Sequence, residues 1–312
     1  IILTVPEKKK NDYVETYVYE CATKAIMAKK GFVFKTEFQN LEEKEQYQND
    51  YETSYKESRR SLYTAGYRIY TSIDLSMEEK LQTFVDESLS SFDEKSTQGI
   101  FQLQGAAVCI DNQSGYVKAI VGGRNQNLEG YTLNRAYQSF RQPGSSIKPL
   151  VVYTPILERG YTPDSQVVDE AVEGGPVQKS YKGAISLREA VEFSKNTVAW
   201  KLFGDLTPEV GLSYLEKMHF SRLDKEDYRL PTALGGMTHG VSPLEMAAAY
   251  ETLANDGIYR NPTCILQIED AWGKKLIETA MEEEVVYKQG AARMMTNVLT
   301  GVLTRGTAAG LG

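Results

Sequence analysis

Within residues 66–312 strand-like segments come before and after a run of helix-like segments, an order that restricts the fold more than any other feature. Tyr67-Arg-Ile-Tyr-Thr-Ser-Ile73 alternates with the period of two of a half-buried strand. Ala106-Ala-Val-Cys-Ile110 and Tyr116-Val-Lys-Ala-Ile-Val121 flank the turn residues Asp111-Asn-Gln-Ser-Gly115, which predicts a hairpin. Helical spacing then covers 146–158, 187–203, 207–218 and 243–255. A second β pair follows at 263–270 and 274–287, around Trp272-Gly273, and an apolar helix runs from Ala291 to Leu303. Parallel βαβ units need strands and helices in alternation, so the expectation is an α+β domain.

Two helix starts can be read directly. Ser76-Met-Glu-Glu79 has the form of a capping box opening a helix to about Ser91. Ser242 can cap the 243–255 helix, with Pro243 at its first position, Glu245 completing the box and Gly257 stopping it. Leu41 to Arg60 is dominated by Glu, Lys, Gln, Tyr and Asp, with too few apolar residues to bury a wide face, and reads as a solvated helix or linker. The expected division is therefore a small N-terminal linker module at 1–100 and a main domain at 101–312.

Charge and residue usage exclude several functions. The net charge of −7 leaves no basic field for a phosphate backbone, so no nucleic-acid partner is expected. There are two histidines, His219 and His239, and no His-Glu-x-x-His, which argues against a zinc hydrolase. Cys21, Cys109 and Cys264 match neither a disulfide framework nor a metal-ligand spacing, and Cys109 and Cys264 lie in apolar runs as small core residues. No run approaches the roughly 18 apolar residues of a membrane span.

The chemistry concentrates in Arg141-Gln-Pro-Gly-Ser-Ser-Ile-Lys-Pro149. Pro143 and Gly144 mark a turn, and a helix opening at Ser145 or Ser146 keeps Pro149 within its first turn, where a missing N–H costs little. Three residues apart, Ser145 and Lys148 share a face, which puts an amine beside a hydroxyl. That amine can take the serine proton only if desolvation or nearby positive charge lowers its usual pKa of about 10.4. The tetrad is the only Ser-x-x-Lys in the chain. Ser194-Lys195-Asn196, the only Ser-x-Asn, interrupts the apolar stretch Leu187 to Phe203 and either faces solvent or lines a cleft.

Ser-x-x-Lys followed by Ser-x-Asn resembles the serine-type penicillin-recognising enzymes, whose third motif is Lys-Thr-Gly. The surrounding phrases resemble the transpeptidase region of class A penicillin-binding proteins. They are Gly66-Tyr-Arg-Ile-Tyr-Thr-Ser-Ile-Asp74, Asn134-Arg-Ala136, the 141–149 stretch, Gly240-Val-Ser-Pro-Leu-Glu-Met-Ala247, Asn255-Asp-Gly257 and Thr304-Arg-Gly-Thr307, in family order. The resemblance implies an antiparallel sheet with a helical subdomain, no cofactor and no metal. It also implies that Ser145 attacks the penultimate D-alanine of a peptidoglycan stem peptide with Lys148 as base, that Ser194 passes a proton to the leaving group, and that Asn196 binds the substrate amide. β-Lactams would acylate Ser145.

The same resemblance implies an extracytoplasmic protein anchored by an N-terminal segment, a preceding glycosyltransferase domain acting on a lipid-linked precursor, and partners in the cell-wall synthesis machinery. Neither Lys-Thr-Gly nor Lys-Ser-Gly occurs in these 312 residues. The resemblance places that triplet on a strand shortly beyond Thr307, so the chain is expected to continue past Gly312. Two rivals stand beside this reading. One is a D,D-carboxypeptidase or β-lactam hydrolase with water as acceptor, and the other a non-catalytic scaffold on the same fold.

Overall fold

A computed structural model describes residues 12–35, 38–125 and 133–311; residues 1–11 of the expected N-terminal module lie outside them. In chain order the elements are α1 (Tyr13–Lys29), α2 (Leu41–Thr64), β1 (Arg68–Thr71), α3 (Leu75–Ser88), β2 (Ala107–Ile110), β3 (Val117–Val121) and α4 (Arg135–Gln138). Then come α5 (Thr154–Glu158), β4 (Gln166–Asp169), β5 (Gly183–Ser186), α6 (Leu187–Glu192), α7 (Asn196–Leu206) and α8 (Pro208–Lys217). The last are α9 (Pro243–Ala254), β6 (Ile258–Arg260), β7 (Ile265–Glu269), β8 (Lys275–Glu278), β9 (Glu283–Val285) and α10 (Gln289–Thr304). Among the described residues every pairing between these strands is antiparallel, in keeping with the α+β reading.

The chain forms two compact units, and they do not follow a boundary at residue 100. The first combines residues 1–139 with 262–281, the second 140–261 with 282–312. The reason lies in strand order. In the first unit β7 runs between β1 and β8, so a strand from residues 265–269 completes a sheet begun at 68–71. Helix α1 packs on β3 and β7 and buries Tyr17, Ala22 and Met27. Its Tyr17 hydroxyl donates to the Pro262 carbonyl at 3.3 Å. Cys21 of α1 and Cys264 meet there as free, hydrogen-bonded thiols. Cys264 is fully buried and Cys109 only half-buried.

The solvated helix expected around Leu41–Arg60 is α2, where only Ser58 is buried. Its tyrosines nevertheless recur every fourth residue, and Tyr47 and Tyr51 pack on Phe32 with ring centroids 5.5 and 5.8 Å away. The hairpin β2–β3 forms with the turn expected of it, Asp111 accepting from the N–H groups of Gln113 and Ser114 at 3.0 and 2.8 Å. The start of α3 differs from the sequence reading. Asp74, in extended backbone, caps it by accepting from Ser76 N and Met77 N at 2.9 and 3.0 Å, which places Ser76 already inside the helix.

In the second unit α10 packs on α5, α6 and α9, burying Ala291, Ala292, Met295 and Val298. The predicted strand at 274–287 is two strands, β8 pairing with β7 and β9 with β6. Helix α9 has the caps read from sequence: Ser242 Oγ accepts from Glu245 N at 3.2 Å, and Glu245 Oε2 accepts from Ser242 N at 2.7 Å. Gly257 follows it at φ +87°, where a Cβ would lie 2.2 Å from the Tyr287 carbonyl oxygen. Replacing Ser242 with Ala removes one half of this box and is expected to lower unfolding stability by about 1 kcal/mol, measured by urea denaturation.

Candidate active site

The segment that carries Ser145 is not the regular helix expected over 146–158. Gly144–Ile147 forms a 3₁₀ turn, Pro149–Tyr153 a π turn, and only Thr154–Glu158 is α-helical. Two prolines explain the irregularity, because Pro149 and Pro155 have no N–H to give to a preceding carbonyl. Thr154 N–H bonds back to the Pro149 carbonyl, and the Leu150 carbonyl accepts instead from the Tyr287 hydroxyl at 2.8 Å. The 3₁₀ turn still sets Ser145 three residues ahead of Lys148.

The turn is backed closely. Gly235 sits at φ +85° where a Cβ would meet Gly144 N at 2.3 Å, so backbone touches backbone. Gln142 Nε2 donates to the Met237 carbonyl at 3.2 Å, and the Tyr250 hydroxyl to the Ser146 carbonyl at 2.7 Å. Both Ser145 and Ser146 are exposed, but their hydroxyls differ. Ser146 Oγ donates to the Pro143 carbonyl at 2.7 Å, whereas among the described residues no hydrogen bond engages Ser145 Oγ. Of the two, Ser145 is the one whose hydroxyl is unengaged among the described residues.

Lys148 is 2% exposed. Its Nζ donates to Ser194 O at 2.9 Å, Ser194 Oγ at 3.0 Å and Asn196 Oδ1 at 2.5 Å. Three of the four residues singled out from sequence therefore meet at one amine. The fourth contact, from Lys148 to Ser145, is not among the hydrogen bonds of the described residues. An ammonium has three donors and here all three are taken. Burial lowers the Lys148 pKa from 10.5 to about 8, so near that pH the amine loses a proton and gains a lone pair.

Ser194 and Asn196 arrive through a helix break where one helix, 187–203, was expected. Ser194 N–H bonds to Val191 O at 3.0 Å and Lys195 N–H to Ala190 O at 2.8 Å, the paired pattern of a helix C-terminus with a left-handed residue at its end. That residue is usually glycine; here it is Ser194, at φ +52°. Helix α7 restarts at Asn196. The cost of a non-glycine residue in this conformation, roughly 1–3 kcal/mol, has to be met by its surroundings.

Sequence reading missed a second group that holds that break. Asp169, fully buried at the end of β4, accepts from Lys195 Nζ at 2.8 Å, Thr197 Oγ1 at 2.6 Å, Gln178 Nε2 at 3.2 Å and Lys182 N at 3.1 Å. Burial pushes its carboxyl up, but the hydrogen bonds from Lys195, Thr197 and Lys182 outweigh this and bring its pKa to about 2. A signal was present in Gln166-Val-Val-Asp169, where alternation puts Asp169 on the buried side with Val167. In the same unit Thr238 Oγ1 donates to Asp227 at 2.7 Å, His239 lies 3.2 Å from Asp224, and Arg305 pairs with Glu192.

A serine hydroxyl that no hydrogen bond engages among the described residues stands three positions ahead of a buried lysine, and a second serine and an asparagine hold that lysine, an arrangement in which an amine rather than a histidine is the candidate partner of a hydroxyl. A family profile described as penicillin binding protein transpeptidase domain matches residues 105–312, and the chain belongs to that family. It is 32% identical over 307 residues to penicillin-binding protein 4 of Bacillus subtilis (strain 168), covering 96% of this chain and 47% of that protein. It is 30% identical over 316 residues to penicillin-binding protein 1A/1B of the same organism, covering 96% and 33%. The chain thus spans half or less of the length of these relatives. Among solved structures, PonA1 of Mycobacterium tuberculosis in complex with penicillin V has a TM-score of 0.65 at 24% identity, covering 78% of this chain and 66% of that one. Penicillin-binding protein 1A of Haemophilus influenzae has a TM-score of 0.67 at 18% identity, covering 84% and 60%, and shares the fold. Among the described residues no helix is long and apolar enough to cross a membrane.

The buried amine has a signature in stability. Between about pH 8 and 10.5 the unfolded chain holds a proton on Lys148 that the folded chain has released, so folding stability gains with rising pH in that window. Relative to Lys148→Met, the wild-type protein should gain at most about 1.4 kcal/mol per pH unit there and nothing below pH 7, as read from urea unfolding at pH 7 and 9.5.

Proposed function

We propose that the chain carries a peptidoglycan D,D-transpeptidase site that works through an acyl-enzyme on Ser145. The observation that supports it most is the buried Lys148 amine, with a pKa lowered to about 8 and held by Ser194 and Asn196, three residues after the unengaged Ser145. In this reading Ser145 Oγ attacks the carbonyl carbon of the penultimate D-alanine and its proton passes to the neutral Lys148 amine. The new C–O bond gives a tetrahedral oxyanion. As that collapses, the C–N bond to the terminal D-alanine breaks, and the proton moves from Lys148 through Ser194 Oγ to the leaving nitrogen. Asn196 receives the substrate's backbone amide. An amine from a second stem peptide then attacks the ester, forming the cross-link and restoring Ser145.

A β-lactam offers the same carbonyl in a ring, so its leaving nitrogen stays tethered and blocks the acceptor. PonA1, a structural neighbour, has been solved with penicillin V, which accords with this reading. The relatives are longer than this chain, and membrane anchoring, a glycosyltransferase activity on a lipid-linked precursor, an extracytoplasmic location and partnership with cell-wall synthesis machinery belong to the same proposal.

Intact mass after incubation with a fluorescent penicillin tests it. One adduct per chain is expected, absent in Ser145→Ala, on protein extended past Gly312 into a Lys-Thr-Gly strand. The acylation rate constant should rise with pH to a plateau with a midpoint near 8. Repeated turnover of the β-lactam would favour the hydrolase reading, and no adduct on any form would leave a non-catalytic module.

A further inference from the structure

We propose that Asp169 is the positioning residue that seats Ser194 and Asn196 on Lys148, acting through Lys195 and Thr197; the inference rests on the acyl-transfer reading above. Ser194 and Asn196 have their neighbours Lys195 and Thr197 bound to one carboxylate, Lys195 Nζ at 2.8 Å and Thr197 Oγ1 at 2.6 Å. The loop 194–197 is thereby gripped on two alternate residues by Asp169, while the intervening residue Asn196, and Ser194 before it, are gripped by Lys148. Two anchors on opposite sets of side chains fix a short loop in orientation as well as in place.

The grip has work to do because Ser194 stands at φ +52°, a conformation its own side chain disfavours. Released from Lys195 and Thr197, the break between α6 and α7 would relax toward ordinary helical or extended backbone, and the Ser194 and Asn196 oxygens would leave the Lys148 amine. Asp169 is held in turn by Gln178 Nε2, which also donates to Thr197 Oγ1 at 3.1 Å, and by the Lys182 N–H. The carboxylate thus has donors from the β4–β5 loop as well as from 195–197, with both of its oxygens engaged. Its side chain is wholly buried and Lys195 is 13% exposed, so the pair has little water to fall back on.

The test separates positioning from bulk stability. Asp169→Asn should slow acylation by a fluorescent penicillin by between roughly tenfold and a hundredfold, the loss expected of a displaced reacting group. The double variant Asp169→Asn with Lys195→Met removes the buried ammonium that the single change orphans. Its melting temperature should recover toward wild type while its acylation stays slow. Acylation that recovers along with the melting temperature, or an Asp169→Asn protein that acylates at the wild-type rate, overturns the proposal. Hydrogen exchange at the Ser194 and Lys195 amides, measured on the same proteins without any ligand, gives a second readout: faster exchange confined to this loop in Asp169→Asn is expected, and unchanged protection overturns the positioning role. If wild-type protein shows no Ser145-dependent adduct, the acyl-transfer reading fails by itself, and the exchange measurement still decides what Asp169 holds.

Discussion

A lysine amine withdrawn from water needs acceptors for every proton it keeps, and the site of this protein is arranged around that demand. Lys148 has three, two oxygens of Ser194 and one of Asn196, all on one short break between helices. To present them α6 has to stop at Glu192, the chain has to pass through a left-handed residue, and α7 has to restart within two positions. A glycine at 194 would make that passage easily but would bring no hydroxyl. The strain is the consequence of needing a side-chain oxygen where the backbone would prefer none.

How legible this was depends on the range of the interactions involved. Ser145, Lys148, Ser194 and Asn196 could be singled out because each pair lies within four residues and the chain has one copy of each pattern. The start of helix α9 could be placed at Pro243 for the same reason, since a capping box is a local device, while its end falls at Ala254, one residue before the reading. Asp74 displaced Ser76 as the cap of α3 because two acceptable caps stood two residues apart, and it is Asp74 that lies in extended backbone just ahead of the helix. The single helix read over 187–203 contained no Gly or Pro to announce its break; the break is imposed by partners on Lys148 and Asp169, far away in sequence.

The first unit was the least legible part. Helix α1 was passed over, although its Tyr17, Ala22 and Met27 enter the core, because its deepest contacts are with strands that follow much later in the chain. The tyrosines of α2 looked like ordinary polar-surface residues until their spacing of four met Phe32. The thiols of Cys21 and Cys264 have no pattern in sequence and still share one buried spot. A strand such as β7, which completes a sheet begun nearly two hundred residues earlier, carries in its own sequence no sign of which partner it will take.

The Leu150 carbonyl, left without a helical donor by Pro155, has a consequence for the order in which the molecule is built. Its donor is the phenol of Tyr287, 137 positions later in the chain. A nascent polypeptide that has been made only as far as α9 holds Ser145 and Lys148 on a turn with an unsatisfied carbonyl in its second residue after the lysine, and such a group cannot be buried without loss. The turn at Ser145 therefore takes its final shape only after the residues beyond Glu282 have been synthesised and packed. Until then Ser145 is present in the chain but its seat is unfinished.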